Sequence, residues 1–402
     1  MSDKKFLTAQ GQIGGLLSLL MLISLLGACN RNGSHAVRFA STSDPGVNNA
    51  PINNGPASSS TMPVLSYADV VSRVSPAVIT VHSEMRVRAP QQYPFMDDPM
   101  FRQFFGDRLP QQMPEQRRMG LGSGVIISTD GYILTNHHVI DGAEQIKVDL
   151  NDNRTLDAKV VGFDPPSDLA VLKIDATILP VLALGDSDKV RVGDVVLAIG
   201  NPLGIGQTVT MGIISAKGRQ TGLSSGSFED FLQTDAPINQ GNSGGALVST
   251  NSELIGINSQ ILSPSGGSIG IGFAIPSNMA RTITDTLVKT GKVRRGQLGI
   301  IVVRTNSEAA KELGVKESKG VVVAEVQPGS GADRAGLKKG DVITSFNGVE
   351  VNDPNVFRNQ VASTAPGSEI TLTILRDGRE QQVRARLGEF TPQPERNMER
   401  QR

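Results

Sequence analysis

The sequence contains a single cysteine, Cys29. An intrachain disulfide is therefore impossible, and zinc sites built on cysteine clusters are excluded. Histidine is almost as scarce: His35, His82, His137 and His138 are the whole set, so chemistry that needs an imidazole must draw on these four. Charges balance to a formal net charge of +0, which removes any global electrostatic pull toward nucleic acid. The apolar run at 13–26, IGGLLSLLMLISLL, falls short of the ~20 residues that span a bilayer as a helix.

What is present suits a turn-rich, strand-rich protein. The chain has 402 residues, enough for two or three domains, with 44 Gly and 22 Pro. Lys4 and Lys5 precede the apolar run, which has the length of a signal-peptide core. The run ends in LLGAC, which resembles a bacterial lipobox with Cys29 as the lipidated residue. An ordinary cleaved signal and an uncleaved anchor are the alternatives. All three imply passage across the inner membrane and a periplasmic location, with or without a tether to lipid or membrane. Residues 1–29 are thus assigned to export or anchoring. Residues 30–63 are rich in Asn, Ser, Gly and Pro and read as a flexible tether that includes His35.

From Ser66 onward short apolar runs alternate with turns, the spacing of an antiparallel barrel or sandwich. Asp130-Gly131 marks a hairpin. SNMARTITDTLVKTG reads as a helix capped by Ser277, with Met279, Ile283 and Leu287 on one stripe and Gly291 at its end. A second unit follows Arg295, with a helix starting at Asp353-Pro354 and a polar tail after 388. A long segment around Phe95, Phe101, Phe104 and Phe105 interrupts the first unit. Its aromatics point to contact with another subunit or with the active site.

Ser243 lies in QTDAPINQGNSGGAL, flanked by Gly241, Asn242, Gly244 and Gly245. A serine hydroxyl needs an imidazole to take its proton and a carboxylate to orient that imidazole. GNSGG also fits the G-x-S-x-G nucleophile elbow, but that arrangement places the histidine after the serine. Every histidine here precedes Ser243, so the elbow fails and the order His, Asp, Ser remains. TNHHVI supplies two candidates, His137 and His138, between which composition does not choose. His82, in a strand-like run, reads as structural. Asp168, after a Pro-Pro turn and before an apolar strand, is the candidate acid, and Asp164 is its competitor.

GSGVIISTDGYILTNHHVI, SDLAVLKI and QTDAPINQGNSGGALVSTNSELIGIN together resemble the three catalytic blocks of the HtrA (Deg) family of serine endopeptidases. The resemblance covers roughly residues 64 to 388. It implies a mainly β fold: a chymotrypsin-like double β-barrel protease domain at 64–291, followed by one α+β PDZ domain at 292–388 and a disordered tail at 389–402. The family pattern T-N-x-H-V falls on Thr135, Asn136, His138 and Val139, so the resemblance selects His138 as base, Asp168 as its orienting acid and Ser243 as nucleophile. The oxyanion would be held by the backbone of Gly241, Asn242 and Ser243. IGIGFAIPSNM resembles the border of the specificity pocket. SPSGGSIGIGFAI carries no carboxylate, so cleavage after a small or medium aliphatic residue is expected.

GQLGI resembles the carboxylate-binding loop of a Deg-type PDZ domain, with Leu298, Gly299 and Ile300 at its core, and PGSGADRAGLKKGDVITSFNG resembles that domain's central block. Such a domain takes peptide C-termini by strand addition. Arg219, in AKGRQTG, matches the family's regulatory sensor. The family further implies a homotrimer, no metal and no cofactor, unfolded or regulatory proteins as substrates, and no nucleic acid. With room for a single PDZ domain, large cages are not expected. The competing reading is an envelope chaperone that holds clients, with proteolysis secondary.

Overall fold

The computed structural model describes residues 66–87, 116–201, 206–221, 228–239, 241–263, 267–315 and 319–391. The export segment with Cys29, the tether at 30–63, the loop carrying Phe95, Phe101, Phe104 and Phe105, and the tail from 392 lie outside the described residues.

After helix α1 (Ala68–Val74), seven strands form an antiparallel sheet: β1 (Val78–Val87), β2 (Gln116–Ile126), β3 (Tyr132–Asn136), β4 (Gln145–Asp149), β5 (Thr155–Asp157), β6 (Lys159–Asp164) and β7 (Leu169–Lys173), in the order β5-β4-β1-β2-β3-β7-β6. A short helix, α2 (His137–Ile140), follows β3 directly. Six more strands close into a barrel: β8 (Val195–Gly200), β9 (Thr208–Arg219), β10 (Phe231–Thr234), β11 (Ala246–Ser249), β12 (Leu254–Ile261) and β13 (Gly272–Pro276).

The strands β7 and β8 read LAVLK and VVLAIG, apolar at successive positions. A strand with one wet face would alternate, whereas these are covered on both faces. Leu169, Val171, Leu197 and Ile199 enter a core shared by the two sheets, together with Phe231, Ile257 and Phe273. The intervening Ala170 and Leu172 fill the first sheet's own interior, and Val196 and Ala198 fill the barrel's. The two-residue period thus sends alternate side chains into different cores. The hairpin at Asp130-Gly131 needs its glycine: φ is +90° there, and a Cβ would lie 2.3 Å from the Ile174 carbonyl oxygen.

Helix α3 (Ser277–Thr290) seats Ile283 and Leu287 in the shared core with Met279 packed beside them. Gly291 ends it in the left-handed region, its N–H on the Leu287 carbonyl at 2.8 Å. Ser277 does not act as the cap. Pro276 takes that position, and the fully buried Ser277 hydroxyl donates instead to the Gly185 carbonyl at 2.8 Å, because a hydroxyl with no access to water needs an acceptor.

The second unit comprises β14 (Gly296–Gln297), β15 (Ile300–Arg304), α4 (Glu308–Glu312), β16 (Val321–Val326), α5 (Gly331–Arg334), β17 (Val342–Phe346), β18 (Val349–Glu350), α6 (Pro354–Ser363), β19 (Glu369–Arg376), β20 (Arg379–Arg386) and β21 (Gly388–Glu389). Its core is built on Leu298, Val321, Ile343, Phe357, Val361 and Leu372. Asp353 caps α6, accepting from the N–H groups of Asn355 at 2.8 Å and Val356 at 3.3 Å, with Pro354 as the first helical residue.

Candidate active site

The end of β3, the turn before β7 and the loop before β11 meet between the two sheets. Pro165–Ser167 form a 3-10 turn that delivers Asp168 in the left-handed region at φ 57°, which a short polar residue adopts more readily than a branched one. Its main-chain carbonyl accepts from His137 N–H at 3.1 Å and from Asn136 Nδ2 at 2.9 Å, so β3 is stitched to the turn. Its carboxylate faces the next residue along, His138. Oδ1 accepts from the His138 N–H at 3.0 Å, and the ring's Nδ1 lies 2.8 Å from Oδ2 and 3.0 Å from Oδ1. A carboxylate only accepts, so Nδ1 carries the proton and Nε2 is left as the basic nitrogen.

The two open choices separate. His137 turns away: its ring packs on Phe163 with centroids 4.9 Å apart, and its Nε2 lies 3.7 Å from Asp141. Asp164 is buried and taken by Arg295 in a two-pronged pair at 2.5 Å and 2.5 Å, with the Ser167 hydroxyl as a third donor. His82 lies elsewhere on the first sheet, 2.6 Å from Asp149.

Ser243 sits on a loop with no room for side chains beside it. A Cβ on Gly244 would lie 2.1 Å from the Ser123 carbonyl oxygen, and one on Gly245 would lie 2.2 Å from that of Ile199. The glycines let the loop lie flat against β2 and β8. Ser123, on β2, holds it there: its N–H donates to Ser243 O at 2.8 Å and its hydroxyl to Gly241 O at 2.7 Å. Asn242 N–H donates to Asn239 O at 3.0 Å, so its main-chain donor is engaged. Among the described residues the N–H groups of Gly241 and Ser243 have no acceptor, which narrows the expected donor set 241–243 to its two outer members.

Ser259 carries no mark in the sequence. β12 pairs with β13 at Asn258 and Gln260 with a bulge between them, so Ser259 is the extra residue. Its hydroxyl donates to Asp168 Oδ2 at 2.9 Å, and its released carbonyl accepts from the Ser243 hydroxyl at 2.9 Å. The chain of contacts runs His138, Asp168, Ser259, Ser243. Among the described residues no hydrogen bond joins Ser243 Oγ to the His138 ring.

A cavity of about 680 Å³ opens in the second unit between β15 and α6. Leu298, Gly299, Ile300, Phe357, Arg358 and Val361 line it. Among the described residues the N–H groups of Leu298 and Gly299 have no acceptor, and Gly299 is at φ +80°. The first unit also contributes, with Gln220 and Phe228 at the cavity wall. Gln220 hydrogen-bonds Asn355 on α6, and the carbonyl of Glu229 accepts from Asn355 Nδ2 at 2.9 Å and Asn359 Nδ2 at 3.0 Å. The buried Glu229 carboxylate takes the Thr221 N–H at 2.5 Å and hydroxyl at 3.0 Å. Thr221 Oγ1 in turn accepts from Gln260 at 3.0 Å, one residue beyond Ser259. Phe228 N–H donates to Pro166 O at 2.7 Å, inside the turn that presents Asp168. Two short routes therefore join the cavity to the Asp168 and Ser259 neighbourhood. Arg219, expected as the sensor, has its Nε on Gln233 at 3.0 Å; the direct contact with α6 falls to its neighbour Gln220.

Comparison with known proteins matches residues 122–257 to a trypsin-like peptidase domain and residues 296–387 to a PDZ domain. The chain is 49% identical over 331 residues to the periplasmic pH-dependent serine endoprotease DegQ of Escherichia coli, covering 82% of this chain and 71% of that one. It is 49% identical over 331 residues to a probable periplasmic serine protease, do/HhoA-like, of Haemophilus influenzae, covering 80% and 71%. Among solved structures, the HtrA-type protease AlgW with decapeptide superposes with a TM-score of 0.67 at 51% identity, covering 82% of this chain and 100% of that chain.

Proposed function

The chain belongs to the HtrA (Deg) family of serine endopeptidases, and from that premise we propose that His138, Asp168 and Ser243 act as one catalytic unit whose output is raised by peptide bound in the second unit. The observation that carries this reading is the continuous contact chain from His138 through Asp168 and Ser259 to Ser243.

Catalysis begins when the Ser243 hydroxyl leaves the Ser259 carbonyl and turns to His138 Nε2. The imidazole takes the proton as the oxygen attacks the scissile carbonyl carbon, and Asp168 stabilises the resulting imidazolium. The developing oxyanion accepts from the N–H groups of Gly241 and Ser243. His138 then protonates the departing amine. Water enters, gives its proton to His138 and cleaves the acyl-serine ester, which returns the hydroxyl to Ser243.

An apolar wall supports small or medium aliphatic residues before the cleaved bond. Ile261 pairs with Gly272, and the Cδ1 of buried Ile238 lies 2.9 Å from where a Gly272 Cβ would be. The stretch 263–275 carries no carboxylate in its sequence to receive a basic side chain. Peptide C-termini would enter the cavity beside β15, their carboxylate meeting the N–H groups of the Leu298–Gly299–Ile300 loop. The contacts of Gln220, Phe228 and Glu229 support a reading in which that event is felt at Ser259 and Asp168, with Arg219 moving off Gln233 as Gln220 shifts. A periplasmic location, unfolded or regulatory protein substrates, a homotrimer and independence from ATP complete the proposal.

The test compares wild type with Ser243→Ala on unfolded casein. Cleavage by wild type alone supports the proposal. Equal suppression of casein aggregation by both proteins, with neither cutting, would leave a client-holding role in its place.

A further inference from the structure

Two of the residues lining the cavity are charged, and they come from different elements: Arg358 from α6 and Glu325 from β16. Between them runs β15, the edge strand of a sheet ordered β15-β16-β17-β19-β20. Side chains along β15 alternate between two faces. Ile300 and Val302 pack on the core that holds Phe357 and Val361 of α6, whereas Ile301 points the other way and is 56% exposed. Glu325 is the direct partner of Ile301 in the β15–β16 ladder, so the two side chains share that outer face. Glu325 is exposed, and among the described residues no cation pairs with it. Asp353 and Glu350, by contrast, are taken by Arg304 at 2.9 Å and Lys319 at 3.3 Å.

A peptide added to that edge takes on the same alternation. With its end at the Leu298–Gly299 loop and its direction opposite to that of β15, its last residue lies beside Ile300 and turns its side chain into the apolar slot. The penultimate residue then lies beside Ile301, on the outer face. Two strand spacings, about 10 Å, separate its backbone from that of Glu325. A short side chain does not cross this gap. A lysine or arginine does, with its methylene stem over Ile301 and its charged head at the carboxylate, as long cationic side chains cover apolar surface elsewhere. A slip of one residue would turn the same cation toward α6 and Arg358, so charge also favours one register. A glutamate at the penultimate position would face Glu325 as a like charge.

We propose that Ile301 and Glu325 form a side-chain subsite on the outer face of β15 that selects a long basic residue, lysine or arginine, at the penultimate position of a bound peptide. This rests on the reading of the groove as a C-terminal peptide site, and it names the ligands that site favours: chain ends in which a cation precedes an apolar last residue. Both members of the subsite are exposed, so the selection is graded, with the modest strength of a solvent-facing ion pair.

The test uses the full chain and fluorescein-labelled decapeptides ending in Ala-X-Phe, where X is lysine, norleucine (the lysine stem without its charge) or glutamate. Fluorescence anisotropy gives the dissociation constants. For wild type, affinity is expected to rise from glutamate to norleucine to lysine, each step about 3-fold, and added salt to compress both steps. Glu325→Gln is expected to bring the three peptides within about 2-fold of one another, and Glu325→Lys to reverse their order. Ile301→Ser is expected to weaken the lysine and norleucine peptides together, since both lose the surface their stems cover; unchanged affinities would strike Ile301 from the subsite. Wild type that binds all three equally would overturn the subsite and leave the groove reading standing. Wild type that binds none would overturn the groove reading and the subsite with it. The same ranking in wild type and Glu325→Lys would overturn the role of Glu325. If Glu325→Lys does not fold, salt decides on wild type: steps unmoved by salt contradict the proposal.

Discussion

The Ser243 hydroxyl donates to the main-chain oxygen of Ser259 at 2.9 Å, a contact made possible by the bulge that frees this carbonyl from the β12–β13 ladder. Ser259 thus touches both the residue proposed as nucleophile and the one proposed as orienting acid, its own hydroxyl donating to Asp168 Oδ2 at 2.9 Å.

Ser259→Ala removes the donor to Asp168 and keeps the carbonyl that holds Ser243. Hydrogen bonds to charged groups contribute ~1.5–3 kcal/mol, so kcat is expected to fall about 10- to 100-fold, with KM nearly constant. Steady-state kinetics on a peptide substrate check this; a change confined to KM would contradict it.

Gly244→Ala places a methyl group 2.1 Å from the Ser123 carbonyl oxygen at a backbone φ of +82°. The left-handed conformation alone costs a residue other than glycine ~1–2 kcal/mol, and the clash adds to it. Loss of activity with a lowered Tm is expected. A variant with wild-type Tm and activity would show that the loop does not need to lie flat against β2.

These two positions show why part of the site was legible and part was not. Glycines with no space for a Cβ, and the Pro-Pro turn before Asp168, constrain which residues are tolerated, so GNSGG and DPPSDLAVLKI stand out in the chain. The unbroken apolar runs of β7 and β8 likewise betray strands covered on both faces. Ser259 and Ser123 sit in ordinary-looking strands. Their contacts arise from a bulge and from β2 meeting the Ser243 loop, which are tertiary events with no local pattern. The choice between His137 and His138 was closed to composition for the same reason, since what separates them is the direction each ring takes from a four-residue helix. Gln220, beside the more conspicuous Arg219, gains its importance only from the packing of α6.

Glu229→Gln keeps the carbonyl that α6 grips and weakens the hold on Thr221. Peptide affinity at the cavity is expected to stay within about 2-fold, while the ratio of peptide-stimulated to unstimulated activity falls. Anisotropy and casein cleavage on the same preparation separate the two. A stimulation ratio equal to that of wild type would remove Glu229 from the route.

Asp230 follows Glu229, and its pKa is pushed up to about 6, first by burial and then by the negative charges of Asp188 and Asp353, with Lys217 opposing. The unfolded chain releases this proton near the ordinary carboxylate value of ~3.9. The native state therefore holds the proton over the interval between these values, and the stability tied to it is greatest below that interval. It declines as pH rises to about 6 and stays lost above. Asp230→Asn is expected to be more stable than wild type at pH ~7.5 by at most about 3 kcal/mol, less after solvent screening, and to flatten the pH dependence. Urea denaturation at pH ~5 and ~7.5 measures this; parallel pH profiles for the two proteins would contradict it.

The unity of His138, Asp168 and Ser243 is tested most directly by mass spectrometry after reaction with a fluorophosphonate probe in the presence of an activating peptide. One adduct on Ser243 is expected in wild type, with none on Ser243→Ala and labelling slowed about 1,000-fold or more by His138→Ala. Protein that cleaves casein while Ser243 remains unmodified, or labelling indifferent to loss of His138, would contradict the account.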